Sequence, residues 1–238
     1  MNRTVALVPA AGRGLRMGGA VPKQYLAIGG VPLVVHCLRV LEAAPSIDAI
    51  ILAVPEADLA YCRSDVVDAH RFSKVVQIVA GGAERQDSVR HALAAVDQPV
   101  DLVVVHDAVR PFVTVQMVED VVKAARAAGA AIVALPMRDT VKQVGANRVI
   151  DRTIDRTTLW LAQTPQAFRR DWLVEAHDKA RREGITATDD AFLLEWLGRP
   201  VSVVEGSGEN IKVTRPEDMM IGEAIWTVRQ SGTKKGFA

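Results

Sequence analysis

Between Pro9 and Lys23 the chain sets four glycines and three cations within fifteen residues, directly after an apolar run at Thr4–Val8. Glycines let a backbone approach a ligand closely and aim several N–H groups at it, which suits phosphate oxygens. Arg16 and Lys23 add positive charge where a polyphosphate would need it. The dinucleotide fingerprint Gly-x-Gly-x-x-Gly fails here, because Met17 stands at its third glycine and no acid follows about twenty residues on at a strand end. A Walker A loop fails in every register. A merely flexible solvent loop would leave the clustered Arg and Lys without a reason. Polyphosphate binding is the chemistry that this stretch can do.

Other residues able to do chemistry lie further along. Gly81-Gly82 opens a helical pattern with Ser88 in its first turns, offering backbone groups and a hydroxyl to a planar base. An ordinary charged helix start is the alternative there. The apolar run ending in His106-Asp107-Ala108-Val109-Arg110 puts a carboxylate and a guanidinium together, and Asp107 could hold Mg²⁺ directly or through water. His106 reads first as a buried, satisfied histidine. Thr140, Arg156, Thr164, Thr188 and Lys212 are weak signals one by one. Thr188 could be only an N-cap for the helix after it. Lys212, in a short β pattern at Ile211–Val213, needs a partner.

The elements that must position these groups are legible in the apolar pattern. Thr4–Val8, Ala49–Val54, Val75–Val79, Leu102–His106 and Ala131–Leu135 read as buried strands. Val31–Ala43, Ala57–Ala69, Arg85–Val96 and Val115–Ala128 read as helices between them, and helical spacing returns at Asp171–Glu183, Asp189–Leu197 and Pro216–Arg229. Val201–Val204 and Ile211–Val213 are expected as further strands. The alternation predicts an α/β fold: a single doubly wound, mostly parallel sheet with ligands beyond the carboxyl ends of its strands. Arg138–Arg156 breaks the rhythm as a polar β-arm turning at Gly145-Ala146-Asn147, marginal alone and expected to pack on a second subunit. The expected organisation is one domain over 1–230, with 138–156 as a dimerisation arm and 231–238 as a flexible tail.

Composition narrows the class. With 238 residues, 49% of them apolar, the chain can bury one sizeable core. Lys plus Arg number 29 against 28 Asp plus Glu, so the basic excess of a general nucleic-acid binder is missing. No apolar run approaches the ~18 residues of a membrane span. Cys37 and Cys62 form no metal or disulfide motif, and Cys37 reads as packing. These features, and an N-terminus running straight into a strand pattern, lead us to expect a cytoplasmic protein without nucleic-acid or membrane partners.

The glycine-rich loop resembles the signature of the sugar-phosphate nucleotidyltransferases, Gly-x-Gly-x-Arg-Met followed by Pro-Lys, filled in order by Gly12, Gly14, Arg16, Met17, Pro22 and Lys23. With the later motifs, the chain from Val5 to about Glu223 resembles the 2-C-methyl-D-erythritol 4-phosphate cytidylyltransferase family. That resemblance implies transfer of CMP from CTP to a polyol phosphate, with Mg²⁺ as cofactor and a homodimer built through the arm. It implies that Arg16 and Lys23 stabilise the transition state. The backbone at Ala10, Ala11, Gly12 and Gly14, with Gly82, Ser88, Asp107 and Ala108, would bind the nucleotide. Arg110, Thr164, Thr188 and Lys212 would position the acceptor, helped by Thr140 and Arg156 from a partner's arm. Ala83 departs from an acid found in some members, which puts one ribose contact in doubt. A sister enzyme charging ribitol 5-phosphate and a non-catalytic nucleotide binder are the rival readings.

Overall fold

The structure, a computed structural model, describes residues 3–12 and 21–234. Strands β1 (Thr4–Pro9), β4 (Ala49–Val54), β5 (Val75–Ala80), β6 (Leu102–Val105), β7 (Ala130–Pro136), β10 (Trp160–Arg169) and β11 (Ser202–Glu205) form one seven-stranded sheet. Its order is β11-β7-β10-β6-β1-β4-β5, and β10 runs antiparallel to both neighbours while the remaining pairs are parallel. Two short strands, β2 (Ala27–Ile28) and β3 (Val31–Pro32), pair apart from it.

The near-continuous apolar strands follow from burial on both faces. Along β1, Ala6 and Val8 enter one core layer while Val5 and Leu7 enter the other. Helices α1 (Leu33–Ala43) and α4 (Val115–Ala128) cover the first face; α3 (Arg85–Ala94), α5 (Arg170–Glu183) and α6 (Asp190–Trp196) cover the second. The expected doubly wound, mostly parallel architecture is therefore found. Thr114 caps α4 by accepting from the Met117 N–H at 3.2 Å. Gly129 ends that helix at φ +91°, where a Cβ would also stand 2.4 Å from the Trp172 ring.

Helix α7 (Pro216–Lys234) packs Ile225 and Trp226 against Ile28, Leu33 and Phe112 in a third, smaller cluster. It runs past the expected stop at Arg229, so Ser231–Lys234 continues the helix; residues 235–238 lie outside the described residues. Hydroxyls of Thr227 and Ser231 donate to carbonyls four residues back, and no proline interrupts the turn.

Two further expectations are corrected, and one strand of the sheet was not expected. Ile211–Val213 is not a strand: its backbone is irregular, with the Val213 N–H donating to Val109 O at 2.8 Å. Ala57–Ala69 is not one α-helix but a 3-10 turn at Glu56–Asp58, a short α2 (Leu59–Tyr61) and a π-helical turn at Cys62–Asp68. Strand β10 went unread because its buried centre is Gln163, Thr164, Pro165 and Gln166, a composition that argues against a central strand. The register shifts between Ala162 and Gln166, spanning the cis Thr164–Pro165 peptide. Each buried amide there is paired. Gln163 donates to Ser207 O at 3.0 Å, and Gln166 donates to the Asp189 carboxylate at 2.8 Å.

The arm is a hairpin of β8 (Val141–Val144) and β9 (Ile150–Ile154), turned through Gly145–Arg148, with Arg148 at φ +59°. Val144, Val149 and Ile150 on it are each more than half exposed.

Candidate active site

A cleft of about 1000 Å³ opens at the carboxyl ends of β1, β4, β5 and β6. After β5 the chain returns to place β6 on the other side of β1, so the cleft sits where the strand order reverses. Ala10, Ala11, Gly12, Lys23, Gly82, Ser88, Asp107 and Lys212, all singled out from sequence, line it. Arg16 and Gly14 lie outside the described residues.

One wall is a close contact between two turns. A Cβ on Gly81 would lie 2.3 Å from the Ala11 Cβ and 2.8 Å from Ser88 Oγ, so the loops after β1 and β5 touch through that glycine. Ser88 is buried, and its hydroxyl accepts from the Gly82 N–H at 3.1 Å while donating to Glu84 O at 3.2 Å. It therefore fixes the Gly-Gly turn. The Asp87 carboxylate accepts from the Glu84 N–H at 3.3 Å, closing the start of α3.

Lys23 begins a 3-10 turn, Lys23–Tyr25, and its side chain passes Gly12, whose added Cβ would lie 3.4 Å from Lys23 Cε. Gln24 beside it was not read from sequence. It lines the cleft, is 1% exposed, and neither its amide nitrogen nor its oxygen has a hydrogen-bond partner.

The floor is a chain of charges. Asp107, at the end of β6, accepts from Lys212 Nζ at 2.6 Å on one carboxylate oxygen and from Arg85 Nε at 2.8 Å on the other. Arg85 Nη1 reaches the buried Asp190 at 2.8 Å, whose second oxygen meets His177 Nε2 at 3.0 Å. Burial alone would push Asp107 up, yet the Arg85 and Lys212 cations hold its carboxyl far below the usual carboxylate range. Burial likewise opposes the ionised Asp190, and Arg85 with His177 holds it low. Arg85, the hub of this chain, was also missed: at the first turn of a helix it looked like an ordinary surface cation. The partner that Lys212 required is Asp107.

Behind Asp107 lies a network of buried hydrogen bonds. Its backbone N–H donates to Thr164 Oγ1 at 3.1 Å, and that hydroxyl meets His106 Nδ1 at 3.1 Å. His106 Nε2 reaches Arg110 O at 3.2 Å. Burial pushes His106 down to about 4, so it is a neutral structural side chain near pH 7. Thr164, 4% exposed, lies beneath the floor with its hydroxyl engaged on both sides. Ala108 is buried and does not line the cleft. Arg110 Nη1 donates to Asn210 O at 2.8 Å, and burial lowers its guanidinium pKa.

Thr140, Arg156 and Thr188 are exposed and away from the cleft in this single chain. Arg156 Nη1 donates to Arg138 O at the base of the arm. Thr188 does not cap α6; Asp189 does, accepting from the Phe192 N–H at 3.0 Å. Among the described residues no group of three His, Cys, Asp or Glu side chains could hold a metal, and no helix is long and apolar enough to cross a membrane.

Comparison with known proteins bears on this arrangement. Residues 4–228 match the family described as 2-C-methyl-D-erythritol 4-phosphate cytidylyltransferase. The chain is 49% identical over 223 residues to the protein of that name from Syntrophus aciditrophicus (strain SB), covering 94% of this chain and 95% of that one. It is 47% identical over 230 residues to the one from Pelotomaculum thermopropionicum, covering 97% of each. Among solved structures, the 4-diphosphocytidyl-2C-methyl-D-erythritol synthase of Anaerococcus prevotii DSM 20548 superposes with a TM-score of 0.85 at 30% identity, covering 95% of this chain and 96% of that one.

Proposed function

The chain belongs to the 2-C-methyl-D-erythritol 4-phosphate cytidylyltransferase family, and on that footing we infer that it transfers CMP from CTP to 2-C-methyl-D-erythritol 4-phosphate. The products are 4-diphosphocytidyl-2-C-methyl-D-erythritol and pyrophosphate. The observation that carries the reading in this molecule is the cleft itself: Lys23 at its glycine wall and the Lys212–Asp107 pair on its floor.

The acceptor's phosphate oxygen attacks the α-phosphorus of CTP. The bond to the α,β-bridging oxygen breaks, and the electron pair leaves on pyrophosphate. A phosphate monoester is largely dianionic at pH 7, its second pKa being about 6, so no side chain need remove a proton. This agrees with the histidine next to Asp107, His106, being buried, neutral and hydrogen-bonded through both ring nitrogens. What remains for the protein is positioning and neutralisation. Lys23 and Arg16 meet the charge that develops on the α-phosphate and the departing pyrophosphate. Ala10, Ala11, Gly12, Gly82 and Ser88 form the nucleotide wall, and Gly14 is assigned to nucleotide binding with them. Lys212 takes the acceptor phosphate, while Thr164 and Arg110 hold the turn that carries Asp107.

The Asp107 carboxylate on the cleft floor fits a Mg²⁺ ion carried in by the triphosphate, since such ions keep waters and use one or two carboxylates. Both Asp107 oxygens are engaged by cations, so a contact through water fits the pair as it stands. The ion would supply charge neutralisation and a fixed triphosphate geometry.

The exposed apolar residues of the arm, with Trp160 and Leu161 half-exposed at its base, support a homodimer. In it Thr140 and Arg156 of each arm reach the partner's acceptor pocket. The first test is pyrophosphate release with CTP and Mg²⁺, offering 2-C-methyl-D-erythritol 4-phosphate and ribitol 5-phosphate separately. Turnover with the first alone is expected. Turnover only with the second would keep the chemistry and overturn the acceptor assignment.

A further inference from the structure

We propose that Arg85 is a positioning residue whose task is to let Lys212 leave Asp107 for the acceptor's phosphate; the proposal rests on Lys212 being the acceptor-phosphate cation. Lys212 is the most exposed member of the floor chain, its side chain 36% exposed, while the Asp107 carboxylate is 7% exposed. With its 2.6 Å pair to Asp107 intact, Lys212 is already neutralised and makes a poor phosphate ligand. Its ammonium has further donors, but the acceptor's phosphate competes with Asp107 for its charge, so binding draws it from that pair. A buried carboxylate stripped of its last counter-ion is costly, far more so than an exposed one.

Arg85 removes that obstacle. Its Nε stays on the other Asp107 oxygen at 2.8 Å, so the carboxylate keeps a partner when Lys212 departs. Arg85 is itself held from behind, because Nη1 bonds Asp190 at 2.8 Å and His177 closes the far side of Asp190 at 3.0 Å. A guanidinium can bridge two carboxylates through separate nitrogens in a fixed plane; a lysine offers one point charge. Asp190 and His177 are 1% exposed, so the anchor is buried. Without Arg85, Lys212 becomes the sole counter-ion of Asp107 and is withdrawn from the acceptor.

The test is a double-mutant cycle on the full-length protein. Steady-state KM for CTP and for 2-C-methyl-D-erythritol 4-phosphate is measured in Arg85→Met, Lys212→Met and the double variant, with melting curves confirming the fold. Lys212→Met should raise the acceptor KM. Arg85→Met should raise it by about tenfold or more, with the CTP KM moving less than about threefold. In the Lys212→Met background, removing Arg85 should raise the acceptor KM by a smaller factor than in the wild type, since the part of its effect that runs through the ammonium is gone, while the melting curves report the cost of the bare Asp107 carboxylate. Multiplicative effects, or equal rises in both KM values, would overturn the proposal. An unchanged acceptor KM in Lys212→Met would overturn it too, and would identify the acceptor role of Lys212 as the step that failed. If Arg85→Met does not fold, Arg85→Lys decides: an intermediate acceptor KM is expected, and a wild-type value would show that the two-carboxylate bridge is not needed.

Discussion

Replacing Gly81 by alanine tests whether the glycine wall of the cleft is part of the nucleotide site. The new Cβ would stand 2.3 Å from the Ala11 Cβ and 2.8 Å from Ser88 Oγ. Carbon atoms rest at about 3.5–4.0 Å, so the two turns must separate by roughly 1 Å or more. No flexible tip can absorb this. The Ala11 methyl is carried by the loop leaving β1, and Gly81 is itself tied by its N–H to Val54 O at 2.8 Å. Overpacking of this kind costs about 1–3 kcal/mol. If that cost falls on the arrangement that accepts CTP, its affinity drops by about fivefold to somewhat over a hundredfold. The assay is the CTP KM at saturating acceptor, with calorimetric CTP binding alongside. Gly208→Ala is the control, because a Cβ there meets nothing within 4 Å and should leave both quantities unchanged. A Gly81→Ala protein with wild-type melting and a CTP KM within about threefold of wild type would refute the reasoning from overpacking.

Lys23→Ala and Arg16→Ala should each lower kcat by about 10²–10³ at saturating substrates, the range for single electrostatic stabilisers, and near-wild-type turnover in both would remove them from the chemistry. Gln24→Met should raise the melting temperature of the ligand-free protein. The change replaces a buried carboxamide with no partner by an apolar side chain of similar length, worth about 1–3 kcal/mol; a fall in melting temperature would count against it. Stability should also decline as pH falls below about 6.5. Burial lowers the pKa of His36 and pushes that of His106 to about 4, so the unfolded chain takes up those protons first. For His106 alone the loss reaches about 3 kcal/mol by pH 4. The depressed carboxyls of Asp107 and Asp190 add their loss only at still lower pH. Melting temperatures flat from pH 7 to 5 would show that these histidines do not titrate as their burial requires.

The parallel half of the fold was legible because its strands are buried on both faces and so read as unbroken apolar runs, as β4 does from Ala49 to Val54. β10 was not, and for the same physical reason inverted. Its central residues are buried but polar, satisfied by Ser207, Asn210 and Asp189, partners that lie 23 or more residues away along the chain. Local pattern cannot reveal a hydrogen bond that only the folded sheet creates. The cleft residues were legible where backbone need betrayed them, as at Gly12 and Gly82, or where a cation stood in an apolar setting, as at Lys212. Arg85 and Gln24 carry no such mark. Arg85 resembles any helix-starting cation, and Gln24 follows Lys23 in a polar stretch.

The polar centre of β10 explains how a site built at the carboxyl ends of parallel strands can hold an ionised carboxylate with so little water. An apolar β10 would leave the Asp107 N–H and His106 Nδ1 without partners beneath the cleft. Thr164 supplies both, accepting from the one at 3.1 Å and meeting the other at 3.1 Å. Asn210, held by Gln163 Oε1 and Thr164 O, presents its own carbonyl to Arg110 at 2.8 Å. The turn His106–Arg110 is thereby fixed from below, and Asp107 can spend both carboxylate oxygens on Arg85 and Lys212. Burying an amide without a partner costs about 1–3 kcal/mol, so each of these pairings is needed before the charged chain above them can be stable. The antiparallel strand is thus part of the site's support, placed against β6 where a further parallel apolar strand would have served the sheet but not the carboxylate.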